Sequence, residues 1–274
     1  VTTIVAPGKL MIAGEYAVLD GAPAIVLAVD RGVQCTISVG DALRISTPSG
    51  DDRFVRPALA GHIGTYDFRE WNPTGLAEKP GFGGSAAACV ASCLAAGRPA
   101  TDALAIHREV QGGGSGADVL ASIHGGMLRV ENHTAVAMSP LCPVVVWSGT
   151  SAKTQPRVDQ YLAATERDDF VAASTEIVSN FDLDPVRMLG ENADLLMHMS
   201  VETGVPYMTP ALASIRRLAR EYGGEAKPSG AGGGDCAIAL FPDEEAEQGF
   251  LQALSQRERI TIPINVAGPA RLLG

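Results

Sequence analysis

Gly81, Gly83, Gly84 and Ser85 stand directly before an almost wholly apolar run, Ala86–Ala96, which meets no breaker until Gly97. That order predicts a buried helix with a glycine turn wrapped over its start. The first N–H groups of a helix have no internal partner, and the dipole there is positive. Glycine lets a ligand approach the backbone without a Cβ in the way. The chemistry on offer is phosphate binding, and the Ser85 hydroxyl is placed to hold a metal ion carried by that phosphate. A second glycine turn, Gln111-Gly112-Gly113-Gly114-Ser115-Gly116-Ala117-Asp118, runs into a short helix at Val119–His124. An Asp at such a start is commonly an N-cap, worth about 1 kcal/mol. A cap does not call for the glycines ahead of it, so Asp118 is read as functional. A third turn, Ser229-Gly230-Ala231-Gly232-Gly233-Gly234-Asp235-Cys236, precedes an apolar strand and follows Lys227. Near the start of the chain, Lys9 and Glu15 interrupt an apolar segment beside Tyr16. They are either an exposed ion pair at strand ends or the lining of a pocket.

Two common phosphate loops are excluded. Gly81-x-Gly83-x-x-Ala86 has the spacing of a dinucleotide-binding turn, which needs an apolar strand just before it. Trp71–Pro80 is polar and carries Pro73 and Pro80, so no central strand runs there, and a nicotinamide-dependent oxidoreductase is disfavoured. The P-loop ending Gly-Lys-Ser/Thr is absent, because Gly-Ser-Ala stands in its place.

The elements that must position these residues divide the chain in two. Strands are expected at Val1–Ala6, Ala24–Val29 and Val33–Val39, a hairpin at Leu43–Thr47 and Arg53–Val55, and strands at Met127–Val136 and Pro143–Val146. Helices are expected at Asp102–Val110, Asp168–Phe181, Pro185–Thr203, Pro210–Tyr222 and Glu244–Gln256, followed by a β-like tail. This is an α+β pattern with a boundary near Ser139–Pro143, giving units 1–140 and 141–274. An apolar fraction of 46% supplies a core. Apolar stretches such as Ala22–Val29 are far too short to span a membrane, and no secretory leader is expected. The five cysteines are odd in number and form no C-x-x-C pair, so neither a disulfide framework nor a zinc site is expected, and a reducing cytoplasmic setting is. A formal charge of −10 argues against nucleic-acid binding; attraction for a polyphosphate must then be local.

The three motifs in this order resemble the GHMP kinase superfamily. The first appears as Ala6-Pro7-Gly8-Lys9-Leu10 with Gly14-Glu15-Tyr16-Ala17-Val18-Leu19, the second as Gly81-Phe82-Gly83-Gly84-Ser85-Ala86-Ala87, and the third as Ser229–Cys236. Glu15-Tyr16, Lys79, the Gln111–Asp118 turn, the Trp147-Ser148-Gly149 loop and Lys227 with the third motif are similar to the phosphomevalonate kinase branch. Gly84 and Phe82 depart from the usual serine and leucine of the second motif.

The resemblance implies a two-domain GHMP kinase fold with the active site between the domains. It implies transfer of the γ-phosphoryl of ATP, with Mg²⁺, to a small phosphorylated acceptor, 5-phosphomevalonate, by a monomer or homodimer. Mevalonate kinase is the alternative. Lys9 and Asp118 are the expected catalytic pair. Lys79, Gly81, Gly83, Gly84, Ser85 and Ala86 are expected at the nucleotide, and Ser85 and Glu109 at the metal, with His107 structural. Glu15, Tyr16, Ser115, Gly116, Ser148, Thr150, Ser151, Lys153, Gly232, Gly233 and Asp235 are expected at the acceptor.

Overall fold

The computed structural model describes residues 1–273. The first half is a sheet with helices packed on it. Its elements are β1 (Thr2–Ala13), β2 (Ala24–Ser38), β3 (Leu43–Ser46), α1 (Arg56–Leu59), β4 (Gly64–Trp71), α2 (Gly84–Ala95), α3 (Asp102–Gln111), α4 (Ala117–His124), β5 (Met127–Glu131) and β6 (Thr134–Met138). The second half holds β7 (Val144–Trp147), α5 (Thr154–Ala163), α6 (Asp168–Ser179), α7 (Pro185–Thr203), α8 (Pro210–Glu221), β8 (Glu225–Pro228), β9 (Cys236–Leu240) and α9 (Glu244–Gln256). A last strand, β10 (Arg271–Leu273), closes the chain.

β2 is the axis of the larger sheet. β1 lies antiparallel along one edge of it, while on the other edge β5 pairs with residues 24–27 and β4 with residues 32–38. The tail does not stay with the second half: β10 pairs with β1, and Val266 bridges Val29. β7, β9 and β8 form a separate antiparallel sheet.

Four local expectations fail for identifiable reasons. Pro7-Gly8 does not end the first strand, because a bulge between Ala6 and Gly8 carries β1 on to Ala13; bulges bend a strand without ending it. Residues 24–38 make one strand rather than two. Residues 43–47 and 53–55 make no hairpin. β3 instead pairs in parallel with β4, and Asp51 and Asp52 hold Arg53 and Arg56 in a turn that leads into α1. Residues 127–136 are two strands folded at Asn132-His133, both at positive φ (48° and 62°), the geometry of a tight hairpin turn.

One apolar cluster packs Ile4, Tyr66 and Phe68 against Ala86, Ala87, Val90 and Ala91 of α2. This explains why α2 is built of small residues: it lies flush on the sheet. Another joins the halves, with Leu10, Ile12, Ile25 and Leu27 meeting Trp147, Phe181, Leu189 and Ile238. The three glycine turns converge where these two halves meet. No helix among the described residues is long and apolar enough to cross a membrane.

Candidate active site

α2 begins at Gly83, in the left-handed conformation, and no side chain caps it, so its first N–H groups are available to a ligand. The turn is pinned from two sides. The Lys9 amide donates to the Phe82 carbonyl (2.9 Å). On Gly83 a Cβ would lie 3.2 Å from Lys9 Cγ and 3.3 Å from Asp118 Oδ2, and on Gly81 it would lie 2.5 Å from Asp235 Oδ2. Both glycines also have positive φ, so conformation and space exclude a side chain at each. Gly84 differs: a Cβ there meets nothing within 4 Å, so the usual serine would fit. Ala86 is fully buried beneath the turn and offers a ligand only backbone.

Lys9 Nζ stands 3.6 Å from Asp118 Oδ1, with the lysine largely buried. Asp118 lies within the first turn of α4 and Gly116 occupies the cap position, so the carboxylate is not an N-cap. Its partner is Lys9, from a strand more than a hundred residues away. Asp235, at φ 56°, accepts from the Ala152 amide (2.9 Å). Burial raises its pKa above the ordinary value, against the pull of that hydrogen bond, Lys9 and Arg157.

These groups border a cavity of about 460 Å³, lined by Lys9, Lys79, Gly81, Gly83, Ser85, Asp118 and Asp235, together with Ser115, Gly116 and Ser151. A second cavity, of about 310 Å³, lies across the turn and is lined by Phe54, Phe68, Trp71 and Gly81–Ser85. Phe54, Lys79, Gly81, Gly83 and Ser85 face both. The Gly81–Ser85 turn is thus the wall between two chambers.

Other expected residues are placed differently. Glu15 borders the larger cavity, but only 2% of it is exposed and its carboxylate is spoken for. It contacts Lys227 Nζ and accepts from Asn192 Nδ2 (3.0 Å) and the Gly230 amide (3.3 Å). Burial pulls the Lys227 pKa below the usual lysine value, and Glu15 opposes that pull. Tyr16 donates to the Ala231 carbonyl (2.6 Å) and packs on Tyr161. Burial raises its pKa. Both residues therefore tie the first motif to the third, and their polar atoms are engaged within the protein. Ser148 is buried and donates to the Thr150 carbonyl (3.0 Å). Thr150, Lys153, Gly232 and Gly233 do not line the cavity; a Cβ on Gly232 would strike Tyr207 and one on Gly233 would strike Arg157. Those two glycines allow close packing. Ser151 does reach the rim, where its hydroxyl donates to the Lys79 carbonyl (2.8 Å).

Glu109 is exposed and lines neither cavity. The residue α3 turns toward Ser85 is His107, whose Nε2 lies 3.2 Å from Ser85 Oγ. His107 is buried and stacks on Phe54, and burial lowers its pKa. Arg108, next in sequence, also faces the larger cavity, its guanidinium 3.4 Å from His133. Sequence reading passed over both as ligand-facing residues. The available signal was spacing: Leu104, His107, Arg108 and Gln111 all line the cavity, and they sit at i, i+3, i+4 and i+7 on one helix face. Lys9, Lys79 and Arg108 supply the local positive charge that a chain of net charge −10 requires for an anionic ligand.

Residues 179–259 match the family described as GHMP kinases C terminal. The match spans α7, α8, α9 and the third glycine motif, and the likeness to solved structures extends over the whole chain. The chain superposes on the Lin0012 protein from Listeria innocua with a TM-score of 0.85 at 23% identity, covering 99% of each chain. Phosphomevalonate kinase from Streptococcus pneumoniae, solved with phosphomevalonate and AMPPNP, superposes with a TM-score of 0.78 at 19% identity, covering 97% of this chain and 99% of that one. In sequence the chain is 29% identical to phosphomevalonate kinase of Streptomyces sp. (strain CL190), over 89% of this chain and 90% of the relative. It is 28% identical, with the same coverage, to mevalonate kinase of Aeropyrum pernix.

Proposed function

We propose that the protein is an ATP-dependent kinase of a small phosphorylated acceptor, namely a phosphomevalonate kinase that converts 5-phosphomevalonate and ATP to 5-diphosphomevalonate and ADP. The observation that carries this is the phosphate turn shared by two chambers. The smaller, aromatic-walled chamber takes the nucleotide, and its terminal phosphates reach the N-terminus of α2. The larger chamber takes the acceptor, with Lys9 and Asp118 on that side of the turn.

Phosphoryl transfer depends chiefly on position and charge neutralisation. Lys9 stabilises charge on the transferring group, and Asp118 holds Lys9 in place. A phosphate acceptor has a second pKa of about 6, so at neutral pH it is largely deprotonated and needs little help from a base. Asp118 is therefore an orienting residue in this reading. Lys79, Arg108 and Ser151 face the negative acceptor.

A divalent ion carried on the nucleotide fits this site although no group of three or more His, Cys, Asp or Glu among the described residues forms a metal cage. Mg²⁺ that arrives on a nucleotide keeps waters and phosphate oxygens as ligands and needs only one or two from protein. Ser85 Oγ is one such donor. When bound, the ion neutralises the β- and γ-oxygens.

Mevalonate kinase is the competing assignment, favoured by the Aeropyrum relative. A coupled ADP-release assay that offers mevalonate and 5-phosphomevalonate separately with Mg·ATP decides between them. Turnover with only the phosphorylated acceptor is expected; turnover with mevalonate overturns the assignment.

A further inference from the structure

Three side chains compete for the place beside Ser85. Asp118 is paired with Lys9. Glu109 is exposed and outside both chambers. His107 remains, and it is built in: 7% exposed, stacked on Phe54 at 4.8 Å between ring centroids, with Nε2 3.2 Å from Ser85 Oγ.

Resting on the two-chamber nucleotide reading above, we infer that His107 Nε2 is a direct ligand of the divalent ion carried by the nucleotide, cis to Ser85 Oγ, so that the site favours a first-row transition ion over Mg²⁺. The geometry supports this in two ways. Neighbouring ligands on an octahedral ion with bonds of about 2.1 Å lie roughly 3 Å apart, and the Oγ···Nε2 separation is 3.2 Å. An ion can therefore replace the present contact with little movement of either side chain. The Phe54 stack also fixes the ring plane. Donor chemistry gives the preference: carboxylates and water suit Mg²⁺, whereas imidazole suits first-row ions later in the Irving–Williams series. A chain that turns an imidazole rather than a carboxylate toward Ser85 is matched to the second group.

The test is pulsed electron paramagnetic resonance on the full chain with Mn²⁺ and AMPPNP, with no acceptor present. The expected spectrum shows nitrogen hyperfine coupling to Mn²⁺ that changes when the protein is made with heavy-nitrogen histidine. His107→Gln abolishes it while Mn·AMPPNP still binds. His107→Glu also abolishes it, and shifts the ratio of Co²⁺ to Mg²⁺ affinity for the nucleotide complex by about tenfold toward Mg²⁺. The labelled wild-type sample needs no variant to fold. Bound Mn·AMPPNP without nitrogen coupling overturns the inference and leaves the kinase reading intact, with His107 only a hydrogen-bond partner of Ser85. Coupling that survives in His107→Gln assigns the nitrogen elsewhere and also overturns it. Failure of Mn·AMPPNP to bind at all overturns the nucleotide reading and, with it, this inference.

Discussion

Lys227→Met should be the most damaging single change outside the Gly81–Ser85 turn, and its cost follows from what surrounds Glu15. In the native protein neither charge meets water: the Lys227 side chain is 0% exposed and that of Glu15 2%. Removing one member of a buried pair costs about 3–5 kcal/mol, because the partner's charge is stranded. Here the stranded carboxylate keeps two neutral donors, Asn192 Nδ2 at 3.0 Å and the Gly230 amide at 3.3 Å. That places the expected loss near the lower end, at about 3 kcal/mol. Glu15→Gln strands the ammonium instead, leaving it the Pro228 carbonyl at 2.9 Å, and should cost a similar amount. The double variant strands nothing and should recover at least 2 kcal/mol relative to the summed single losses, roughly the coupling seen for contacting groups. Urea denaturation of all four proteins, with unchanged m-values as the check on comparability, gives the cycle directly. A Lys227→Met loss below about 1 kcal/mol, the worth of an exposed pair, or strict additivity in the cycle, would refute the reasoning. It would mean that water enters between the two halves and that this pair does not lock them.

Three further outcomes are expected. Lys9→Ala should lower kcat by about 10²–10³ fold, the usual effect of removing one electrostatic stabiliser, with little change in Tm, since its partner Asp118 is partly exposed; near-normal turnover would remove Lys9 from the mechanism. Tyr16→Phe deletes only the hydroxyl that donates to Ala231, so it should cost about 0.5–1.5 kcal/mol of stability and leave the acceptor KM within about twofold; a large KM rise at unchanged stability would return Tyr16 to the substrate. Asp235→Asn tests a pH dependence. The folded-state pKa of Asp235 lies above the ordinary 3.8 because of burial, so the native state binds the extra proton as pH rises from 3.8 to the raised value. Wild-type stability therefore falls across that window, the variant lacks the fall, and denaturation midpoints should separate in its favour toward neutral pH; parallel curves would show that the carboxylate is not desolvated.

Periodicity and glycine spacing located the helices well because those signals are local. Pro185–Thr203 and Glu244–Gln256 run as expected, each with an Asp cap accepting from the first turn. The Gly81–Ser85 turn was legible for the same reason: glycines ahead of an alanine-rich run mark the start of a helix. Errors arose where a neighbour distant in sequence decides. Nothing in residues 43–55 says that β3 takes a parallel partner at residues 64–67, and nothing in the tail says that β10 returns to β1. Glu15 and Tyr16 are the sharper case. A charged and an aromatic residue in an apolar segment suggest a pocket, and they do stand at one, but Lys227 and Ala231 take up their polar atoms. Sequence shows that such groups need partners and leaves open whether protein or ligand supplies them. His107 and Glu109 divide on helical phase alone: two positions are 200° apart on a helix of 3.6 residues per turn, so the acidic residue named for the metal necessarily points away from the face that carries His107. The helix that brings Arg108 to the larger cavity also brings His107 to Ser85, the residue of the glycine turn that borders both cavities.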